Sequence, residues 1–302
     1  ERREVTAPLS LIVSAFAPVS DARRVLTPQL RTDCGETVLI LIDLGGGKAR
    51  LAASALAQVY GQVGCEAPDV DDAARLRSFF VLIQTLNADA KLLAYHDRSD
   101  GGLFVTLCEM MFASRTGITV DGELALEAAH CGRNLAVLFN EELGAVIQVR
   151  REDLAAVRVA CEEAGLASHT HVIGYPNAGD ELRVLVDEAQ IYRAARVELQ
   201  RAWSETTYHM QRLRDHPECA REEYDRILDT SDPGLNVHLT FDTNEDITLP
   251  LRGRVRPRIA ILREQGVNGQ MEMAAAFDRA GFAAADVHMS DIIAGRVTLD
   301  AF

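Results

Sequence analysis

The sequence predicts an α/β protein in which helices cover a sheet. Short apolar runs typical of strands alternate with segments of helical spacing up to about residue 195, and the alternation starts again at residue 258. The composition agrees, because 48% apolar and 25% charged residues in a chain of 302 is the balance of a folded protein with a sizeable core. At roughly 100–200 residues per domain, we expect two domains or one domain with extra pieces.

Charge and cysteine content exclude several classes of protein. The chain has 31 Lys and Arg against 45 Asp and Glu, a net charge of -14, which argues against nucleic acid as a partner. No run reaches the ~18 apolar residues of a membrane span, and the first residues contain no apolar signal core, so we expect a cytoplasmic protein. No Cys-x-x-C pair is present, which favours buried, reduced thiols over zinc or disulfides. The six cysteines of the chain are Cys34, Cys65, Cys108, Cys131, Cys161 and Cys219.

The individual elements follow from the periodicity of apolar residues. Apolar runs predict strands at 8–16, 38–44, 91–96, 135–139, 145–149, 172–174 and 182–186. Helical spacing predicts helices at 51–60, 74–86, 103–112, 152–164 and 197–214. A last strand, helix and strand follow between residues 259 and 289. A single β-α-β unit cannot bury both faces of its strands, so we expect the chain to be part of a longer polypeptide.

The segment 96–102, His-Asp-Arg-Ser-Asp-Gly-Gly, lies between a predicted strand and a predicted helix. Backbone amides of a helix start and a glycine turn can face an anion such as phosphate. Asp97 and Asp100 carry the carboxylates that Mg²⁺ prefers alongside phosphate oxygens, and Ser99 can donate a hydrogen bond to a phosphate. A tight turn with an aspartate N-cap explains the same residues without a ligand, and both interpretations stay open.

Other motifs carry less chemistry. Residues 45–48, Gly-Gly-Gly-Lys, lack the first glycine of a P-loop, and Ala49 stands where its Ser or Thr would be, so we interpret them as a turn. His169 and His171 can be metal ligands or an ordinary entry into a strand. The arginine-rich segment 252–258 is interpreted as a linker. No Ser or Cys sits in a nucleophile turn, so no catalytic residue is assigned in this segment.

Five separated segments resemble one family, the large, single-chain phosphoribosylformylglycinamidine synthases. They occur in the family's order and cover nearly the whole chain, which is more specific than any one of them. The segments are 95–103 (YHDRSDGGL), 139–146 (FNEELGAV), 210–215 (MQRLRD), 232–237 (DPGLNV) and 262–268 (LREQGVN).

The resemblance implies a domain organisation. Residues 1–195 resemble the second of the family's two aminoimidazole-ribonucleotide-synthetase-like C-terminal domains, a four-stranded, mostly antiparallel sheet covered by helices. Residues 196–255 resemble its helical connector. Residues 256–302 resemble the first β-α-β of a class I glutaminase, the start of an incomplete glutamine amidotransferase domain.

The resemblance also implies a function. The family is an ATP-dependent carbon-nitrogen ligase of purine biosynthesis that uses glutamine to convert formylglycinamide ribonucleotide into the amidine. Asp97 would bind Mg²⁺ and Ser99 the nucleotide, ATP or ADP, in a site that is structural in this half of the enzyme. The glutaminase Cys, His and Glu would lie beyond this chain, so the segment alone is expected to be inactive, and Cys219 is not given that role.

Two other interpretations stay open. The segment can be a non-catalytic module whose bound magnesium-nucleotide only holds two halves of a protein together. It can also be a kinase-like or selenophosphate-synthetase-like member of the same superfamily, against which the connector and the glutaminase start count. One departure bears on substrate binding: residues 51–54, Leu-Ala-Ala-Ser, replace the Gly-Gly-Ser of related catalytic domains.

Overall fold

The computed structural model describes residues 12–19, 21–121, 134–186, 188–232, 234–235, 237–246, 249, 253 and 255–302. Two compact units are present, Glu1–Asp232 and Pro233–Phe302. In the described part of the chain, no helix has the length and apolar character needed to cross a membrane.

The first unit is built on a seven-stranded sheet. Its strands are β1 (Thr37–Asp43), β2 (Ala94–Asp97), β3 (Gly117–Val120), β4 (Gly144–Arg150), β5 (Thr170–Asn177), β6 (Glu181–Val186) and β7 (Ala189–Ala195). The order is β2-β4-β1-β5-β3-β6-β7, and every neighbouring pair is antiparallel except β3 and β6. The mostly antiparallel sheet is therefore confirmed, whereas the expected number of four strands was wrong.

Seven helices accompany this sheet. They are α1 (Ala55–Val59), α2 (Ala73–Ala88), α3 (Gly102–Ser114), α4 (Asn134–Phe139), α5 (Leu154–Glu163), α6 (Arg196–Arg214) and α7 (Pro217–Arg226), counted over the described residues. Asp72 begins α2, because its carboxylate accepts hydrogen bonds from the main-chain N–H groups of Ala74 (2.9 Å) and Arg75 (3.1 Å).

The core lies on both faces of the sheet, because α3 covers one face while α2 and α5 cover the other. Alternate residues of β1 therefore enter different clusters: Leu39 and Leu41 pack with α3, and Val38, Ile40 and Ile42 pack with α2 and α5. This explains why β1 is an uninterrupted apolar run although its neighbours are antiparallel. The layered α/β architecture predicted from sequence is confirmed.

Residues 135–139, predicted as a strand, belong to helix α4. A five-residue apolar run does not distinguish the two structures. The side chain of Asn140 donates hydrogen bonds to the carbonyls of Ala136 (2.7 Å) and Val137 (3.1 Å), which satisfies the end of the helix.

Other predicted elements also change. The helix predicted at 51–60 begins only at Ala55, because the Ser54 hydroxyl accepts from the Ala57 N–H (3.2 Å) as an N-cap. Of the strand predicted at 8–16, residues 8–11 lie outside the described part, and residues 12–16 are exposed with no regular structure. Strands β3 and β7 were not predicted; β3 is four residues long and β7 is largely exposed, so neither produces a clear apolar pattern.

The prediction of buried thiols holds only in part. Cys108 and Cys161 are buried, and burial raises the pKa of Cys108 to about 12. Cys65 and Cys219 are exposed, so for them the prediction was wrong. Cys34 is half-buried and Cys131 lies outside the described residues.

The predicted face of helix α6 docks only at its N-terminal half. Leu199 packs against the core, and the Trp203 ring lies 5.9 Å from that of Phe112. Met210 and Leu213 remain exposed, at 66% and 90% of their surface.

The second unit contains the predicted β-α-β. Strands β8 (Arg258–Arg263) and β9 (Ala283–His288) pair in parallel, with Arg258 opposite Ala283, and helix α8 (Gln270–Arg279) connects them. A short helix, α9 (Met289–Ile293), follows. This confirms the last predicted unit.

Candidate functional site

Three loops meet at one end of the strands β2, β4 and β1. They are residues 43–50 after β1, residues 97–101 after β2, and residues 140–143 before β4. In the sheet Asp97 lies opposite Ala145, and Asp43 lies opposite Gly144. Because neighbouring strands are about 4.8 Å apart, this register brings the segment 96–102 beside the glycine-rich turn.

Arg98 is buried, although its neighbours Asp97, Ser99 and Asp100 are exposed. Its guanidinium group donates to the carbonyl of Glu142 (2.6 Å), to the carbonyl of Leu143 (3.1 Å) and to the Asp43 carboxylate (2.5 Å). A guanidinium offers five N–H donors in a rigid plane, so one side chain can join several acceptors. Arg98 therefore connects all three loops of the site.

Asp43 holds the glycine-rich turn. Its carboxylate accepts from the N–H groups of Gly45 (3.2 Å) and Gly47 (3.0 Å) as well as from Arg98. Burial by itself raises the pKa of Asp43, but the Arg98 charge and these hydrogen bonds outweigh it, and the pKa lies below its usual value. The interpretation of residues 45–48 as a turn is confirmed. The carboxylate that the N–H groups of this turn bind is the side chain of Asp43.

The lowered pKa of Asp43 predicts a pH dependence. A carboxyl whose pKa is depressed on folding contributes stability above its unfolded value, here 3.8, and this contribution is lost as the pH falls further. We expect the difference in free energy of unfolding between wild type and Asp43→Asn to be largest above about pH 4 and to narrow below it. Urea denaturation at several pH values measures it, and a constant difference down to about pH 3 would contradict the assignment.

A second buried ion pair closes the other side of the turn. Glu142 is 1% exposed, and its carboxylate accepts from the Arg50 guanidinium at 2.7 and 2.8 Å and from the Arg50 N–H at 3.1 Å. Asp71 pairs with Arg50 (2.9 Å) and Lys48 (3.0 Å). Both basic residues of the turn are thus paired with carboxylates of the chain.

The glycine turn before α3 also binds a carboxylate. One oxygen of Glu141 accepts from the N–H of Gly101 (2.8 Å) and from the N–H of Ala55 (2.8 Å) at the start of α1. One backbone amide of the turn predicted to face an anion such as phosphate is therefore bound to Glu141 in this structure. The carboxylate and a phosphate have the same requirement for N–H donors.

Gly102 allows a close approach of the main chain in the site. Its φ is +67°, and a Cβ atom there would lie 2.5 Å from the Asn140 carbonyl oxygen and 2.7 Å from the Phe139 carbonyl carbon. The helix N-cap is Gly101, in the left-handed conformation, with no side-chain hydrogen bond. The alternative of an aspartate N-cap is therefore wrong for α3, and Gly102 is explained by main-chain packing.

Asp97 and Ser99 keep their side chains toward solvent. The Asp97 side chain is 67% exposed, and its carboxylate lies 3.6 Å from His96 Nδ1. His96 Nε2 is held 2.8 Å from Glu109, whose other oxygen accepts from the Trp203 indole N–H (3.1 Å). The backbone before Asp97 is thereby connected to helices α3 and α6.

The histidine pair at 169 and 171 is explained without a metal. His169 is buried with Nδ1 2.7 Å from the Asp43 carbonyl oxygen, and His171 lies on β5 opposite Leu41 of β1. Over the described ranges, no group of three or more His, Cys, Asp or Glu side chains is arranged to hold a metal ion.

Sequence reasoning missed Arg98, Asp43, Glu141 and Glu142 as members of the site. One signal was available for Asp43, since a charged residue ends an apolar strand just before three glycines. The pairings of Arg98 and Glu142 join residues 44 or more positions apart, which no local pattern contains.

Two family matches agree with this architecture. Residues 36–187, just over half of the chain, match the C-terminal domain of AIR synthase related proteins. This chain belongs to the AIR synthase related family. Residues 256–302 match the CobB/CobQ-like glutamine amidotransferase domain.

Part of the chain is also similar to several solved structures. Thermotoga maritima PurL complexed with FGAR is 8% identical over 59% of this chain and 30% of that chain (TM-score 0.47), and PurL complexed with ATP is 11% identical over 58% and 27% (TM-score 0.42). Escherichia coli HypE is 21% identical over 55% and 51% (TM-score 0.38). The chain thus spans less than a third of the length of the PurL chains it matches.

Proposed function

We propose that this chain is a segment of a large, single-chain phosphoribosylformylglycinamidine synthase, which uses ATP and glutamine to convert formylglycinamide ribonucleotide into the amidine. One observation carries the proposal: an AIR synthase related domain at 36–187 precedes a glutamine amidotransferase match at 256–302 in the same chain. A synthetase fold followed by an ammonia-releasing domain is what a glutamine-dependent ligase requires. The amidotransferase match also counts against a kinase-like or selenophosphate-synthetase-like protein.

The proposed domains are residues 1–195, the connector 196–255 and the amidotransferase start 256–302. The end of β7 at Ala195 and the start of α6 at Arg196 support the first border. The start of β8 at Arg258 supports the second.

Within this function, Asp97 is the proposed Mg²⁺ ligand and Ser99 the proposed contact to ATP or ADP. Mg²⁺ is commonly held by one or two carboxylates together with phosphate oxygens and waters, so a single exposed carboxylate fits that ion. When bound, the ion would offset the negative charge of the phosphates. Arg98 positions the site from the protein interior, because its buried guanidinium group fixes the backbone that carries the side chains of Asp97 and Ser99.

The role we propose for this site is structural. In the turn before α3, the Gly101 N–H that could bind a phosphate is bound to Glu141. The basic residues Lys48 and Arg50 of the other glycine-rich turn are paired with acidic residues. A nucleotide at Asp97 and Ser99 would then lie outside the turn and stabilise the protein, while turnover takes place elsewhere in the enzyme.

The test uses the full-length protein that contains this segment. We expect Asp97→Ala to lower the content of bound ADP and the melting temperature, while kcat changes by less than about threefold. Ser99→Ala should do the same more weakly, since it removes one hydrogen bond of about 1 kcal/mol. Asp89→Ala is the matched control, because Asp89 is also exposed and its carboxylate makes no hydrogen bond within the described structure.

The outcomes separate the alternatives. Unchanged nucleotide content in Asp97→Ala would contradict the assignment of the site. A large loss of kcat with normal nucleotide content and melting temperature would contradict the structural role. Absence of glutamine-dependent amidation in the full-length wild type would contradict the proposed function itself.

A further inference from the structure

A cavity of about 670 Å³ lies at the end of the sheet opposite Asp97. Its walls come from the start of β1, the turn after β4, the end of β5 and the turn between α3 and β3. Thr37, at the first position of β1, lines it, whereas Asp43, at the last position, belongs to the site described above. The two are six residue steps apart along the strand, about 20 Å. The volume is in the range of small-ligand pockets.

The residues that line the cavity include more positive than negative side chains. Three arginines line it, Arg31, Arg115 and Arg151, against one acidic residue, Glu36, although the protein carries a net charge of -14. The arginines come from three different segments, so no single amphipathic element explains their convergence. A concave surface that concentrates positive charge attracts anionic ligands.

The ion pairs of these arginines are at the surface. Arg31 pairs with Asp33 at 2.7 Å and Arg151 with Glu36 at 3.2 Å, and all four side chains are more than half exposed. Exposed pairs of this kind contribute little to stability. A phosphate, which carries more charge and three oxygens, can compete with such carboxylates for the guanidinium groups.

Arg115 is held in an unfavourable backbone conformation. It follows α3 as its C-cap with φ 52° and ψ 43°, a left-handed position that favours glycine. Its contact with Asp232 is 3.7 Å, longer than a hydrogen bond, while Arg226 approaches the same carboxylate to 2.7 Å. The Arg115 side chain is 40% exposed, so its guanidinium group is accessible to a ligand.

A buried glutamine fixes two walls of the cavity. Gln148 is fully buried; its amide accepts from the Arg31 N–H (2.8 Å) and donates to the Arg31 carbonyl (2.7 Å) and to the Thr37 hydroxyl (2.9 Å). On the other side, the Thr116 hydroxyl donates to the Asn177 carbonyl (3.0 Å). The cavity is therefore bounded by backbone that is held in place before any ligand binds.

We propose that this cavity binds a small phosphate-bearing ligand, with its phosphate groups at the arginines of the cavity and a flat organic part against Tyr175. Tyr175 is 40% exposed and lines the cavity next to Pro176, so it provides an aromatic surface beside the arginines. Arginine can bind phosphate oxygens and an aromatic ring can stack on a flat base, so the two together fit a nucleoside phosphate. The site is separate from Asp97 and independent of the function proposed above.

Isothermal titration calorimetry of the 302-residue chain with pyrophosphate and with AMP, in EDTA, tests the proposal. EDTA removes the magnesium on which binding at Asp97 would depend. We expect both probes to bind, and Arg115→Gln and Arg151→Gln each to weaken binding at least about tenfold, the effect of losing one charge-assisted hydrogen bond. If AMP binds more tightly than pyrophosphate and Tyr175→Leu abolishes this difference, the ligand is a nucleotide. If the two probes bind equally tightly, the ligand is a bare oligophosphate.

Arg158→Gln is the matched control, because it removes the same charge from an exposed helix position outside the cavity. Its affinity for both probes should equal that of wild type, and equal melting temperatures of all variants exclude a folding defect. Failure of wild type to bind either probe would overturn the proposal. So would binding that is unchanged in the cavity variants, or binding that Asp97→Asn abolishes.

Discussion

Replacing Arg98 by methionine is expected to lower the free energy of unfolding by about 3–5 kcal/mol. Methionine fills a similar volume but removes the donors that join Asp43, Glu142 and Leu143. The Asp43 carboxylate would then stay buried without its guanidinium partner, which is the costly way to break an ion pair. Urea denaturation at neutral pH measures the loss.

Two further variants separate this effect from general damage. Arg158→Met, at an exposed position of α5, should change the free energy by less than about 0.5 kcal/mol. The double variant Arg98→Met/Asp43→Asn should be more stable than the sum of the two single effects predicts, because no buried charge is left unpaired. Strictly additive effects would mean that Arg98 and Asp43 do not stabilise each other.

Gly102→Ala is expected to destabilise the protein by about 2–4 kcal/mol, through two separate effects. A residue other than glycine at φ +67° is strained by roughly 1 kcal/mol. The added methyl group would also lie 2.5 Å from the Asn140 carbonyl oxygen, so the loop before β4 or the start of α3 must move, which adds about 1–3 kcal/mol. Because Asp97 and Ser99 precede this turn, nucleotide binding in the full-length protein should weaken as well.

Gly61→Ala is the control for the first effect alone. Gly61 has nearly the same φ, +64°, but no atom lies within 4 Å of the position its Cβ would take. We expect it to cost only about 1 kcal/mol. If the two substitutions destabilised the protein equally, the main-chain contact at Gly102 would have no energetic importance.

The main elements of the fold could be predicted from the sequence because their patterns are local. Strand β1 is a run of seven buried residues, and α2 and α5 show regular apolar spacing that places Phe79, Leu82 and Val157 in the core. Helix α4 was wrongly predicted as a strand because its apolar run is only as long as a strand and its end depends on Asn140. Strand β7 was not predicted because its side chains are mostly exposed and show no alternation of apolar and polar residues.

The sequence by itself determined the fold class, the order of the two units, and the place of Asp97 and Ser99 between a strand and a helix. These depend on residues close together in the chain, where spacing and turn chemistry decide the structure. Only the tertiary structure decided that Glu141 binds the Gly101 amide, and that three arginines surround one cavity. Such arrangements bring together residues 40 to more than 100 positions apart, and strand order, which no local interaction specifies, decides which of them meet.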